Sequence, residues 1–149
     1  MDFNDIKVFE KPNIINAMDK FQMQRRTKQF AIDVWKLCQK LPHSREFNSI
    51  AVQLIRSSTS VAANYRASCR AKSRADFINK LKIVEEEADE SQFFLEFILE
   101  VQFDDCLVSE LKRLIQEADE MPMRKCFSHR EMIIQGILPM KDRDRLCGK

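Results

Sequence analysis

Residues 73–102, SRADFINKLKIVEEEADESQFFLEFILEVQ, contain neither glycine nor proline and determine how this chain folds. The opening Ser-x-x-Asp pattern is typical of a helix start, because the serine can cap a backbone N–H and the acid suits the positive end of the helix dipole. Seven residues then recur three or four positions apart, and this spacing predicts one buried helix face: Phe77, Leu81, Val84, Ala88, Ser91, Leu95 and Ile98. We therefore predict one helix of about thirty residues, roughly 45 Å long.

Three more helices are predicted on either side of this one from the same kind of spacing. The first 135 residues contain no glycine and the whole chain has four prolines, so helices are strongly favoured and glycine-built phosphate loops are excluded there. The predicted bounds are 24–41 for the first helix, 45 to between 67 and 70 for the second, and 104–121 for the fourth. We predict an all-α, antiparallel up-and-down four-helix bundle over residues 23–121, with a less regular N-terminal arm (1–22) and C-terminal tail (122–149).

Composition narrows the class of protein further. Of the 149 residues, 44% are hydrophobic and 32% charged, which is typical of a globular domain, and no apolar run approaches the roughly 20 residues of a membrane-spanning helix. The acidic N-terminus lacks the basic and apolar pattern of a secretory signal, so we expect a cytoplasmic protein without a membrane partner. The five cysteines form no C-x-x-C pair, and we expect free thiols.

No catalytic, metal or cofactor site is predicted. Cys126 and His129 form a lone C-x-x-H, whereas a zinc site needs four convergent ligands. The acidic run 85–90 lacks the Glu-x-x-His companions of a di-iron bundle. The serine-rich run 57–60 has no histidine nearby to activate a hydroxyl, so we interpret it as a small-residue packing face. We therefore predict neither an enzyme nor a small-molecule substrate.

Charge is strongly segregated along the chain. Residues 45–82 carry eight Lys or Arg against two acids, and residues 83–120 carry two against thirteen. Four arginines of the second helix fall within an arc of about 80°, and two cations in the next turn extend them. The predicted nucleic-acid-binding residues are Arg45, Arg56, Arg66, Arg70, Lys72 and Arg74. The alternative is that these cations pair with the acids of the third helix, within or between subunits.

A second apolar arc lies on the later half of the third helix, away from its buried face. Its members are Ile83, Phe93, Phe94, Phe97 and Val101. They are either a subunit interface or part of a wide intramolecular face. Trp35 and Tyr65 are interpreted as bundle residues, so the sequence predicts no exposed platform for stacking nucleic-acid bases.

The chain also resembles a known family. The stretches SVAANYRASCRAKSRADF (60–77) and INKLKIVEEEADESQFFLEF (78–97), with TKQFA (27–31) and QLIRSS (53–58), are similar to the bacterial four-helix bundle family that includes the 23S ribosomal RNA intervening-sequence protein. The similarity covers roughly residues 23–121. It implies an antiparallel bundle that assembles into a ring-shaped homopentamer with no established enzymatic activity. Relatives continue the fourth helix past the position of Pro122, where this chain departs from the pattern.

Two functions stay open at this point. The first is an oligomeric protein that binds structured RNA, associated with ribosomal RNA, through the phosphates rather than the bases. The second is a protein-interaction scaffold whose basic stripe lies between subunits. A distant relative that accompanies diversity-generating retroelements associates with a reverse transcriptase and with nucleic acid, so the resemblance allows an RNA partner as well as a protein partner.

Overall fold

The computed structural model describes residues 20–102 and 104–121. They form four helices and, within these ranges, no strand: α1 (Lys20–Cys38), α2 (Arg45–Ser68), α3 (Arg74–Val101) and α4 (Asp105–Asp119). Consecutive helices pack together, and α1 also contacts α4, which closes the bundle. The predicted all-α four-helix bundle is confirmed. The C-terminal tail and nearly all of the N-terminal arm lie outside the described residues, as does the Cys126–His129 pair.

Three of the helices begin at a capping side chain that the sequence contains. Ser44 Oγ accepts a hydrogen bond from the backbone N–H of Phe47 at 3.2 Å, and Ser73 Oγ accepts one from Asp76 at 3.1 Å. Asp104 Oδ1 accepts a hydrogen bond from the backbone N–H of Cys106 at 2.9 Å. Each cap satisfies a backbone donor that has no partner inside its helix.

The first helix is shifted relative to its prediction. It begins at Lys20, inside the predicted arm, because Met23 in its first turn is buried and continues the apolar face back to the helix start. It ends at Cys38, three residues before the predicted end, since Pro42 disfavours helical geometry in the residue before it. Leu41 nevertheless stays buried, held by a turn in which its N–H bonds the Cys38 carbonyl at 3.4 Å.

Ion pairs show that α1 and α4 run antiparallel. As the residue number rises along α1, the number of its partner on α4 falls. The pairs are Arg26 with Glu117 at 2.5 Å, Asp33 with Arg113 at 3.0 Å, and Lys40, just after α1, with Glu110 at 2.5 Å. The first residues of α1 and the last of α4 therefore lie at the same end of the bundle.

The core lies along the bundle axis and contains the face predicted for α3. Leu81, Val84, Ala88, Leu95 and Ile98 are buried there, and Phe77 packs partly against them. The serine run behaves as a packing face, because Ser57 and Ser58 are fully buried. Ser57 Oγ lies 2.8 Å from Ser91 Oγ, so two short side chains let α2 and α3 approach closely.

Within the described part of the chain, no three His, Cys, Asp or Glu residues are grouped so as to hold a metal ion. Cys38, Cys69 and Cys106 are free thiols. None of the four helices has the length and apolar character needed to cross a membrane.

Candidate nucleic-acid interface

The structure places all six predicted nucleic-acid-binding side chains on the surface. Arg45, Arg56 and Arg66 lie on α2, Arg70 follows just after its end, Lys72 lies in the turn into α3, and Arg74 is the first residue of α3. Helices turn by about 100° per residue, so the three arginines of α2 share one side of it. Their surroundings differ, because Arg56 is the arginine of α2 that pairs with acids of α3.

Arg56 is engaged by the acids of α3. Its guanidinium lies 2.6 Å from Glu90 and 3.8 Å from Glu87. The hydrogen bond with Glu90 raises the pKa of Arg56, and the charges of both acids raise it further. This is the intramolecular pairing that the sequence left open as an alternative, so a phosphate would have to compete with two carboxylates for this side chain.

Four of the predicted cations gather at one end of the bundle, whereas Arg45 begins α2 at the opposite end. We name Arg66, Arg70, Lys72 and Arg74 the basic end, where α2 finishes and α3 begins. Its first three members form no ion pair with any residue in the described ranges. The nearby acid, Asp76, has its pKa lowered mainly by a hydrogen bond from a lysine one turn further along α3, and it also accepts the backbone N–H of Lys72 at 3.0 Å.

A groove between α1 and α2 adjoins the basic end, and the sequence patterns did not predict it. Its larger part has a volume of about 690 Å³ and a second part about 310 Å³, and Lys28, Thr59 and Ala62 line both. Among the described residues, three cations line the groove and no acid does. The α1–α2 groove is lined by Phe21, Gln24, Arg25, Lys28, Ala31, Ile32, Trp35, Thr59, Ala62, Ala63 and Arg66.

Trp35 corrects one expectation from the sequence. It is 52% exposed on α1, so its interpretation as a bundle residue is wrong, whereas Tyr65 is buried as expected. The outward position has a simple cause, since Phe30, Val34 and Leu37 already occupy the core face of α1. A signal for this second face is present in the sequence: aromatic, basic and aliphatic residues recur at intervals of four, three, four and three, namely Phe21, Arg25, Lys28, Ile32 and Trp35.

The predicted oligomer interface lies on the outer side of α3. Ile83, Phe93 and Phe97 are 40%, 58% and 42% exposed. The Phe93 ring lies 5.4 Å from that of Phe94 and 6.4 Å from that of Phe97. Phe94 is half-buried and packs partly against the core, and Val101 is also half-buried. We name these five residues the α3 patch; within the described ranges of a single chain, its three most exposed members stay open to solvent.

Known proteins provide an independent comparison. A family model described as "23S rRNA-intervening sequence protein" matches residues 19–124, which include all four helices. A crystal structure of a protein with unknown function from the S23 ribosomal protein family of Bacteroides thetaiotaomicron is similar, with a TM-score of 0.62 and 27% sequence identity. The match covers 80% of this chain and 98% of that one. No curated protein matches the chain.

Proposed function

Because the chain belongs to the 23S rRNA-intervening sequence protein family, we propose that it is a non-enzymatic cytoplasmic protein that binds structured RNA through its basic end. The observation that carries the proposal is the contrast between Arg56 and the two arginines at the end of α2 and just after it. Arg56 is neutralised by Glu90 and Glu87, whereas Arg66 and Arg70 are exposed without an acidic partner in the described ranges. Two exposed arginines of this kind attract a polyanion.

The mechanism of binding is electrostatic. Arginine presents a planar fork that holds two phosphate oxygens at once, and Arg66 and Arg70 lie four residues apart on either side of the end of α2. Contacts to phosphates carry no sequence information, so the protein should recognise the shape and charge density of a folded RNA. Each phosphate contact releases counterions, which makes the affinity fall as salt rises.

Self-association is the second part of the proposal. The α3 patch presents three large apolar side chains on one helix, and burying them against another copy would remove apolar surface from water. A closed ring of copies, of the kind that the family resemblance implies, would display several basic ends at once. Several linked sites bind one RNA more tightly than a single site does.

The test of RNA binding reverses charge at the basic end. We expect the double variant Arg66→Glu, Arg70→Glu to bind a structured RNA stem-loop at least about tenfold more weakly than the unmodified protein at low salt, because two attractions to phosphates are replaced by repulsions. The slope of log affinity against log salt should become shallower by about one for each arginine that no longer binds a phosphate. Fluorescence anisotropy over a salt series measures both quantities.

The matched control is the double variant Lys36→Glu, Lys112→Glu. It changes the net charge by the same amount at exposed lysines outside the basic end. If the control weakened binding as much as the basic-end variant, binding would depend on net charge and not on this surface, and the proposal would be wrong. Light scattering of each variant shows whether its assembly is unchanged. Dissociation of the basic-end variant would favour the scaffold function instead, with these arginines between subunits.

A further inference from the structure

The outer face of α1 carries a row of side chains on the side away from the core. Phe21, Arg25, Lys28, Ile32 and Trp35 fall within an arc of about 80°. Fourteen residues separate the first from the last, which corresponds to about 21 Å along the helix. Small side chains of α2, alanines among them, form the opposite wall, so a flat group can approach closely.

Charge distinguishes this groove from an ordinary apolar cleft. Arg25, Lys28 and Arg66 line it, and none of the three forms an ion pair within the described ranges. The acid of α1, Asp33, is turned away from the groove, since it pairs with Arg113 on α4. An occupant must therefore supply negative charge as well as a surface that can lie against exposed rings.

An unpaired nucleic-acid strand has both properties. Bases stack on aromatic side chains without regard to sequence, and the phosphates between them pair with neighbouring cations. The exposed indole of Trp35 lies seven residues, or about 10 Å, from Lys28 along the helix, which leaves room for a base and its adjoining phosphate. Phe21 already has Lys20 above its ring at 5.2 Å, so Trp35 is the stronger platform.

We propose that the α1–α2 groove binds an unpaired stretch of RNA, with a base stacked on Trp35 and phosphates held by Arg25, Lys28 and Arg66. The proposal rests on the RNA binding proposed above. Arg66 belongs to both surfaces, so an RNA stem on the basic end can continue as a single strand into the groove. This continuity favours RNA over a second copy of the chain as the occupant.

The experiment compares three RNAs that share one stem-loop. One is blunt, and the other two carry about six unpaired nucleotides, one at the 5′ end and one at the 3′ end. Trp35 is the only tryptophan of the chain, so its fluorescence reports directly on the groove. We expect an extended RNA to quench Trp35 and to bind at least about fivefold more tightly than the blunt one, since one stacked base contributes that much.

Substitutions in the α1–α2 groove test whether it causes the tighter binding of the extended RNA. Trp35→Ala should abolish the advantage of the extension while leaving affinity for the blunt stem-loop unchanged, and Trp35→Phe should restore part of it. Lys28→Glu should also reduce the advantage. Val52→Ala removes an apolar side chain of α2 that is also exposed but does not line the groove, and it should change neither affinity.

The outcomes separate this inference from the proposed function. If the blunt stem-loop bound but neither extension improved its affinity nor quenched Trp35, the groove proposal would be overturned and the basic end would stand. If Trp35→Ala changed the particle mass in light scattering, the groove would be a contact between copies, which also overturns it. If no RNA bound at low salt, both proposals would fail.

Discussion

The thiols of Cys38 and Cys106 show how position alone changes a side chain's chemistry. Cys38 faces the core, and the loss of solvation raises its pKa to about 11. Cys106 is exposed in the first turn of α4, yet its pKa is also raised, mainly by a hydrogen bond with Asp104 and then by the charge of that carboxylate. A thiol reacts as the thiolate, so both groups should be slow nucleophiles at neutral pH.

Replacing Asp104 by Asn tests this account of Cys106. The amide oxygen still caps α4, but the negative charge is gone, so the pKa of Cys106 should fall. Alkylation of Cys106 at pH 8 should then become about threefold faster for each unit by which its pKa falls. A lower pKa increases the fraction of thiolate but makes each thiolate a weaker nucleophile, so the second effect partly offsets the first. Peptide mapping after iodoacetamide treatment follows each thiol separately. Cys38 in the same sample is the control, and an unchanged Cys106 rate would contradict the assignment to Asp104.

The sequence predicts the exposure of Arg56 and Arg66 but not the difference in their acidic neighbours. The helical period correctly places both on the exposed side of α2. Their different environments depend on Glu90, which lies 34 residues from Arg56 in sequence and meets it only through the register of α2 against α3. The spacing of residues within one helix does not specify how α2 and α3 are aligned against each other. Trp35 escapes prediction for a related reason, because a large apolar residue is expected in the core and only the packing shows that the core face of α1 is already filled.

At the scale of elements, capping side chains make several helix starts predictable. Ser44, Ser73 and the acids before α4 all stand at helix starts, and the α3 bounds differ from their prediction by one residue at each end. The start of α1 is predicted less accurately, because the predicted apolar face began at Phe30 and left out the buried Met23. The small residues at 57–60 indicate a close approach of α2 to a neighbour, although the contact with Ser91 required the structure.

The N-terminal cap of α3 should contribute measurably to the free energy of unfolding. Substituting Ser73→Ala removes the acceptor for the Asp76 backbone N–H, and we expect the free energy of unfolding to fall by about 1 kcal/mol. Ser73→Asp, which retains a capping oxygen, is the matched control and should stay close to the unmodified protein. Urea unfolding followed by circular dichroism at 222 nm gives the comparison. Equal destabilisation of the two variants would show that the capping oxygen is not the cause.

At the scale of the whole molecule, the bundle is asymmetric in both charge and apolar surface. The basic end lies where α2 meets α3, while Phe93 and Phe97 stand on the flank of α3. Separate surfaces allow a protein to assemble through one and bind a ligand through the other. That separation makes the proposed self-association testable without disturbing the basic end.

We expect Phe97→Glu to reduce the assembly to single chains. In an apolar interface between copies, the new carboxylate would be buried without a partner, which is costly. In the single chain the side chain of Phe97 is 42% exposed, so the fold of the chain itself should survive the substitution. Val52→Glu places the same charge at an exposed apolar position of α2 outside the α3 patch. Light scattering should show the mass falling only for the first. Should both variants keep the mass of the unmodified protein, the α3 patch is not the interface.

The antiparallel ion pairs between α1 and α4 have a consequence for chain connectivity. Arg26 lies beside Glu117, so the described chain enters and leaves the bundle at one end, while the turn at 39–44 lies at the other. A short linker between residues 121 and 20 could therefore close the chain, and new termini could be opened within that turn. Such a circular permutant would keep every helix and place both new ends at the far side of the bundle from the basic end.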